Sequence, residues 1–480
     1  KDASPMKAGP HPALAQGKVR YVGDHVAVVI AETYAQAKDA AEAVVVDYDV
    51  LPAVIDGKAA LNHGAPLVHD DIAHNQVFDW ELGNYKETVD AFAQAAKVVS
   101  LDLTNNRLIP NAMEPRAAIG DYDAGTGVHT LYTTSQNPHV ARLVLSAFVG
   151  IAPENKLRVI APDVGGGFGS KIFIYAEETV CVWASRRVGR PVKWTSDRSE
   201  AFLSDAHGRD HHTHAAMALD AAGKIIGLRV KTVANLGAYL STFASATPTY
   251  LYATLLSGQY DIPAIYAEVQ GVYTHTAPVD AYRGAGRPEA TFAIERVIDQ
   301  AALDMGIDRV ALRQRNVIGN EQLPFKTGLV FAYDSGDFAG NIVMALKDAD
   351  WDGFEKRRAE ARRRGKLRGI SIVHPIEISG GPFRNPGDEG AEIQFDPNGD
   401  VTVLLGSHNH GQGHETAFRQ VIVDFLGVDQ NRVRYVFGDT DQVRHGRGTF
   451  GSRSLMAGGT ALRRAADLVI ERAKLIAAVA

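Results

Sequence analysis

Three adjacent glycines, Gly165, Gly166 and Gly167, open a loop that continues Phe168-Gly169-Ser170-Lys171. A strand-like run, Leu157 to Ala161, precedes it, and a helix-like run, Tyr175 to Trp183, follows. Without side chains the backbone N–H groups can close on a ligand and take positive φ. The helix start adds partial positive charge, so the geometry suits an anion or a metal-bound oxygen. Neither common nucleotide motif fits. A P-loop ends in Gly-Lys-Ser/Thr, whereas this loop ends Ser170-Lys171-Ile172. A dinucleotide fingerprint started at Gly165 puts Ser170 where its third glycine belongs.

Three further loops share the pattern. Gly411-Gln412-Gly413-His414-Glu415 lies between a strand-like run, Val401 to Leu405, and a helical pattern, Ala417 to Leu426. Gly448-Thr449-Phe450-Gly451-Ser452-Arg453-Ser454 opens another helix, and Ala281-Tyr282-Arg283-Gly284-Ala285-Gly286-Arg287 precedes one over Glu289 to Ala302. Any one could be a plain glycine turn. Together, four polar loops feeding helix starts point to one large anionic ligand held at several points.

The elements behind these loops mix strands and helices, giving a mixed α/β (α+β) chain. Residues 1–56 form a small α/β unit, with strands expected over Val26 to Ala31 and Val44 to Tyr48 and a helix over Ala35 to Ala43. Residues 57–80, rich in His, Asp and Asn, read as a linker. A unit over 81–318 and a connector over 319–340 follow, and the strand–loop–helix pattern returns in 341–480. The length of 480 residues suggests about three domains. A net charge of −6 argues against nucleic-acid binding. The basic run Lys356 to Arg368 reads as a solvated helix face ending at Gly365, or as a partner contact. The single cysteine, Cys181, excludes an iron–sulfur cluster held by these residues alone, and no apolar stretch is long enough to span a membrane.

Histidines invite a metal-site reading. His408 and His410 share one strand face and could join His414, and His211, His212 and His214 form a second cluster. Asn409 and the neighbouring glycines fit hydrogen bonding to a cofactor better than a zinc site. The 211–214 cluster reads as polar surface or pocket wall.

Thr134-Ser135-Gln136-Asn137, Gly165 to Gly169, Ala281 to Gly284, Gly411 to Glu415 and Thr449 to Ser454 occur in an order that resembles the molybdenum-bearing large subunit of the xanthine oxidase family. Within it, the chain is most similar to the carbon monoxide dehydrogenase-like type. The resemblance implies the end of a hammerhead-like α/β domain followed by two large molybdopterin-binding domains, the second incomplete at its C-terminus. It implies molybdenum carried by molybdopterin cytosine dinucleotide, with no direct protein ligand to the metal. The expected partners are a [2Fe-2S] small subunit and an FAD-binding medium subunit, in a cytoplasmic dimer of heterotrimers.

The same resemblance assigns roles. Gln136, Phe168 and Arg283 should converge on the metal, with the Gln136 amide donating to an oxo ligand. Gly166, Gly167, Gly169, Gly284, Gly411, Gln412, Gly413, His414, Thr449, Phe450, Gly451, Ser452, Arg453 and Ser454 should hold the cofactor. Ile172 and Ala285 stand where purine-oxidising members carry Glu and Phe, so purine specificity is not expected. Arg209 matches a substrate-orienting arginine, with a structural salt bridge as the alternative. Gly284 stands where carbon monoxide dehydrogenases carry a copper-holding cysteine. The implied chemistry is hydroxylation of an electron-poor carbon, such as an N-heterocycle or aldehyde, with water as oxygen source. The family's glutamate base lies in a C-terminal Gly-x-Gly-Glu segment with no counterpart here, and Glu177, Glu178 and Glu415 do not replace it. A carbon monoxide oxidase and a non-catalytic cofactor-binding or maturation scaffold are the competing readings.

Overall fold

The structure, a computed structural model, describes residues 5–380 and 389–479. Its largest sheet has five strands in the order Gln76–Gly83, Ala264–Val272, Ile225–Asn235, His211–Leu219 and Lys97–Asn105. All neighbours are antiparallel except the central pair, Ile225–Asn235 with Ala264–Val272. Alternation puts Ala215, Met217 and Leu219 on the covered face, where Val297, Ile298 and Ala301 of helix Arg287–Met305 close the core. That helix begins after Gly286 with Pro288 in its first turn and ends on left-handed Gly306. Its start is therefore fixed locally, directly after the Tyr282-Arg283-Gly284 turn.

Two smaller sheets share one plan. In the first, hairpin Ala117–Asp123 and Val128–Thr133 is joined by Leu157–Ile160, parallel to the second strand, after a crossover through helix Pro138–Leu143. In the second, hairpin Ala391–Phe395 and Val401–Leu405 is joined by parallel Val433–Val436 after helix His414–Leu426. A parallel pair demands such a crossover. The loops entering these crossovers therefore leave the carboxyl ends of strands, where open α/β sheets form ligand crevices. Gln136 lies in one such loop and Gly411 to Gly413 in the other. The Gly165–Gly169 loop likewise leaves the end of Leu157–Ile160 and feeds helix Ala176–Val188.

The two sheets meet edge to edge. Ile160 bridges Asp439, Ala161 N–H donates to Gly438 O at 2.7 Å, and Thr440 N–H donates to Val159 O at 3.1 Å. Arg158 clamps the junction through Asp439 at 2.6 Å. Loops from both units are thereby brought to one side of the molecule.

Two expectations need correction. The runs Val26 to Ala31 and Val44 to Tyr48 form no strand, although helix Tyr34–Glu42 between them is present with a Thr33/Gln36 capping box. Alternation supplies only one side of a ladder, and neither run meets a pairing strand among the described residues. Residues 57–80 are not a linker. They contain helix Gly57–Ala60 and the first residues of an edge strand of the main sheet, and they bury Val68, His69, Ile72 and Asn75. Their polar side chains mislead because they satisfy buried backbone: Asn75 accepts from Val68 N–H and donates to Ala60 O and Pro66 O. The 81–318 unit accordingly takes in strand residues from Gln76 onward.

Deep in the core, Arg313 donates to Glu295 at 2.7 and 2.9 Å and to Asp299 at 2.9 Å, while Tyr260 O–H donates to Glu295 at 2.6 Å. Arg313→Met alone should cost about 3–5 kcal/mol, because Glu295 is left charged and buried. Arg313→Met with Glu295→Leu should recover most of that loss in denaturant unfolding. A single variant as stable as wild type would show that the network contributes nothing.

Candidate functional site

The loops that leave the sheet ends enclose a cavity of about 380 Å³. Gln136, Phe168 and Gly169 form one wall, Arg283, Gly284 and Ala285 a second, and Gln412 with Thr449 to Ser452 a third. Ile172, Phe243, Leu251, Ala281 and Phe450 make much of the lining apolar.

Gln136 ties the walls together and is 2% exposed. Its N–H donates to Lys171 O at 2.9 Å, and its carbonyl accepts from Thr449 N–H at 3.0 Å. Its side-chain Oε1 accepts from Gly169 N–H at 2.9 Å, and Nε2 donates to Thr449 O at 2.9 Å. One Nε2 hydrogen remains. The amide is thus first a cross-link between two glycine-rich loops, which motif reading did not foresee. Gly169 must be glycine at this junction: its φ is +107°, and an added Cβ would lie 2.3 Å from Ala281 O. That close approach lets Arg283 N–H donate to Phe168 O at 2.9 Å and sets the Arg283 guanidinium 5.8 Å from the Phe168 ring centre.

Buried ions brace the turn around Arg283 from behind. Arg209 donates to Tyr282 O at 2.8 Å, Arg283 O at 2.7 Å and Glu289 at 3.1 Å. It does not line the cavity, so the substrate-pocket expectation for Arg209 is corrected in favour of a structural salt bridge. Both terminal nitrogens of its guanidinium are thus engaged by carbonyls of the turn it supports. Asp280 accepts from Ala281 and Phe243 N–H groups at 2.5 and 2.9 Å, fastening the two cavity segments to each other. Burial pushes its carboxyl up to about 7, against the pull of these donors. Glu114 and Lys171 perform the same service for the triple glycine: Gly165 N–H donates to Glu114 at 2.6 Å, and Lys171 Nζ to Glu114 at 3.2 Å.

In the C-terminal unit, the buried Arg453 pairs with the buried side chain of Glu389 and donates to Gly448 O at 3.0 Å. Thr449 and Ser454 hydroxyls share a bond of 2.9 Å. His408 Nε2 lies 3.0 Å from both Ala161 O and Pro162 O, and Asn409 donates to Asp163 at 2.6 Å. This stitches the 408–413 loop to the start of the triple-glycine loop. Burial pushes His410 down to about 3 and His414 to about 4, so both are neutral near pH 7.

Of the expected cofactor residues, Gln136, Phe168, Gly169, Arg283, Gly284, Gln412 and Thr449 to Ser452 line the cavity. Gly166, Gly167, Gly411, Gly413, His414, Arg453 and Ser454 stand outside its lining. Ile172 and Ala285 also line it. The three histidines at 408–414 do not close on a common point. Among the described residues, the only three-residue group close enough for a metal is His25, Glu177 and Glu200, and there Arg116 already bonds Glu177 at 3.0 Å. The 211–214 cluster splits: His211 is buried 5.2 Å from the Tyr252 ring, while His214 pairs outward with Asp102 at 3.0 Å. Phe243, Leu251, Glu377 and Glu114 were not foreseen, since none belongs to a glycine-rich motif; only Glu114, in Asn111-Ala112-Met113-Glu114-Pro115-Arg116, sits in a polar segment that could have drawn notice.

Comparison with known proteins gives this geometry a family. Residues 68–317 and 344–480 each match a molybdopterin cofactor-binding domain, and residues 2–52 match the a/b hammerhead domain of aldehyde oxidase and xanthine dehydrogenase. The chain is 38% identical to a carbon monoxide dehydrogenase large chain of Hydrogenophaga pseudoflava, covering 97% of this chain and 61% of that one. It is 32% identical to the nicotine 6-hydroxylase large subunit of Paenarthrobacter nicotinovorans, covering 98% and 58%. Quinoline 2-oxidoreductase from Pseudomonas putida 86 superposes with a TM-score of 0.91 at 33% identity, covering 97% and 61%. The chain spans about three fifths of the length of these relatives. It belongs to the molybdopterin-binding large subunits of the xanthine oxidase family, of the carbon monoxide dehydrogenase-like type.

Proposed function

We propose that this chain supplies the cofactor cradle and substrate pocket of a molybdenum hydroxylase that oxidises an electron-poor carbon with water as oxygen source. Electrons leave to an iron–sulfur and a flavin subunit, and the assembly works in the cytoplasm. The single observation that carries the reading is the convergence of four glycine-rich loops from two molybdopterin-binding domains on one cavity.

The residues fit the molybdopterin group, here assigned as its cytosine dinucleotide. The lining offers backbone amides, the Gln136 amide and the Arg283 guanidinium, with no thiol and no converging imidazoles. When bound, the cofactor supplies the two-electron chemistry and the protein positions and shields. Gln136 holds two loops at fixed separation and keeps one amide hydrogen for an oxygen in the cavity. Phe168 and Arg283 cover the same side, and the apolar wall excludes water from the reacting carbon. No glutamate of the cofactor loops serves as base: Glu177 is held by Arg116, Glu178 by Thr133 and Glu415 by Arg419.

A copper-dependent carbon monoxide oxidase is disfavoured at Gly284. Its φ is +94°, and an added Cβ would lie 2.4 Å from Pro288 Cγ. Cysteine there meets both a left-handed backbone and a clash. Gly284→Cys should lower stability by at least about 1–2 kcal/mol, with no gain of copper by metal analysis; a stable, copper-loaded variant would restore the competing reading.

Metal analysis and nucleotide release from the purified complex should give molybdenum and CMP. Zinc in place of molybdenum, or no nucleotide, would reject the function, and purification without iron–sulfur and flavin chains would reject the partners. Gln136→Glu offers a sharper test of the loop cross-link. The acid keeps the acceptor for Gly169 N–H but sets an oxygen against Thr449 O, where a donor stood. Losing a buried bond and opposing two acceptors should cost about 2–3 kcal/mol and reduce molybdenum occupancy. Normal stability and full occupancy in this variant would contradict the cross-link.

A further inference from the structure

The cavity has a second character that the glycine-rich loops do not supply. Glu377, from the C-terminal unit, is the only carboxylate among its described lining residues. Its Oε1 accepts from Ile378 N–H at 2.7 Å and lies 3.2 Å from Arg287 Nε. Its Oε2 has no partner among the described residues, and the side chain is half exposed. Arg287, by contrast, is buried, and its Nη1 donates to Ala285 O at 3.1 Å. The pair is therefore anchored through the arginine to the turn that carries Gly284 and Ala285. The rest of the wall near it is apolar: Ile172, Phe243, Leu251 and Phe450, with the Phe243 and Phe450 rings 5.9 Å apart.

Resting on the hydroxylase reading above, we propose that Glu377 is a specificity-determining residue that accepts a hydrogen bond from a neutral ring or lactam N–H of the substrate.

A carboxylate oxygen can only accept, so whatever lies against it must bring a donor. A substrate that covers this half-exposed oxygen removes it from water, so one that supplies a donor is favoured over an isostere that does not. Aldehydes and carbon monoxide bring none. The charge balance argues for a neutral donor over a cation. Arg287 already faces Glu377, and the exposed Arg283 guanidinium adds a further positive charge to the same cavity. The aromatic walls suit a flat ring, and Ala285 leaves room for it beside the turn. Burial raises the Glu377 carboxyl above its ordinary range while Arg287 opposes that rise.

Benzimidazole and benzoxazole separate this role from a structural one. They share size and shape, and only benzimidazole carries an N–H. Calorimetric titration of the purified complex at pH 7.5 should show benzimidazole binding about tenfold or more tightly than benzoxazole, the scale of a hydrogen bond to a charged acceptor. Glu377→Gln should narrow that preference several-fold, and Glu377→Leu should abolish it. Glu377→Asp, which keeps the charge, should retain part of it. Thermal melting and molybdenum content of each variant identify any that misfold. Equal weakening of both rings in Glu377→Gln would leave Glu377 only the task of holding Arg287, and would overturn the proposal. So would the absence of any preference in wild type, or tighter binding of benzamidine, a cation, than of either ring. Binding is read without turnover, so a complex lacking molybdenum would sink the hydroxylase reading while this preference could still be measured.

Discussion

Four hydrogen bonds through one residue hold the site together. Gln136 joins its own segment to Lys171 and Thr449 through its backbone, and Gly169 to Thr449 through its side chain. Thr449 is 313 positions away in the sequence, so the bond closes a very long loop between two domains. A glycine-rich loop by itself has many conformations of similar energy, and fixing each residue costs on the order of 1 kcal/mol of backbone entropy. A buried amide offers a donor and an acceptor in one rigid plane, so both bonds are made together only when both loops are in place. A shorter or charged side chain cannot satisfy both partners. The shape of the cavity depends on this pair of bonds more than on any lining side chain.

Around that knot lies a ring of ion pairs, each with at least one buried partner and each tied to backbone carbonyls or amides of a functional loop. Arg209 with Glu289 braces the Tyr282-Arg283 turn, Arg453 with Glu389 braces the 448–454 segment, and Lys171 with Glu114 braces the triple glycine. Desolvation makes such pairs poor sources of stability when compared with apolar packing. They recur here because a charged side chain with several donors can direct loop backbone that has no side chains of its own to pack. Glycines let the backbone approach a ligand, and the neighbouring ions restore the definition that glycine removes.

The legible parts of the sequence were those whose physics is local. Triple glycine, the helix expected over Glu289 to Ala302, and the strand–loop–helix repeats all declare themselves within about 20 residues, and the structure has each element. What failed was non-local. The expected strands at 26–31 and 44–48 had the right alternation but found no ladder partner among the described residues. Residues 57–80 looked like a linker because Asn75 and His69 are polar, yet both are buried and bonded to backbone. Motif position left Arg209 open between the pocket and a structural salt bridge, and its pairing with Glu289 depends on helix packing that spacing does not encode. Phe243 and Glu377 carry no local signal. Their proximity to the cavity comes from sheet register and domain docking, which composition and spacing do not encode.

The cavity joins two surfaces with different origins. One is made by the glycine-rich loops, whose backbone amides are set by turn geometry and tolerate little change: a Cβ at Gly169 or Gly284 meets another atom within 2.5 Å. The other is made by side chains, Ile172, Phe243, Leu251, Ala285 and Phe450, and the backbones at Phe243 and Ala285 are held from behind by Asp280 and Arg287. Substitution on this second surface changes volume and polarity without moving the first. Quinoline 2-oxidoreductase fits that division: its fold superposes closely at 33% identity. A rigid backbone cradle opposite a replaceable side-chain wall lets the lining of a cavity change without moving the loops that frame it. In this chain, the replaceable wall is the side-chain surface of Ile172, Phe243, Leu251, Ala285 and Phe450.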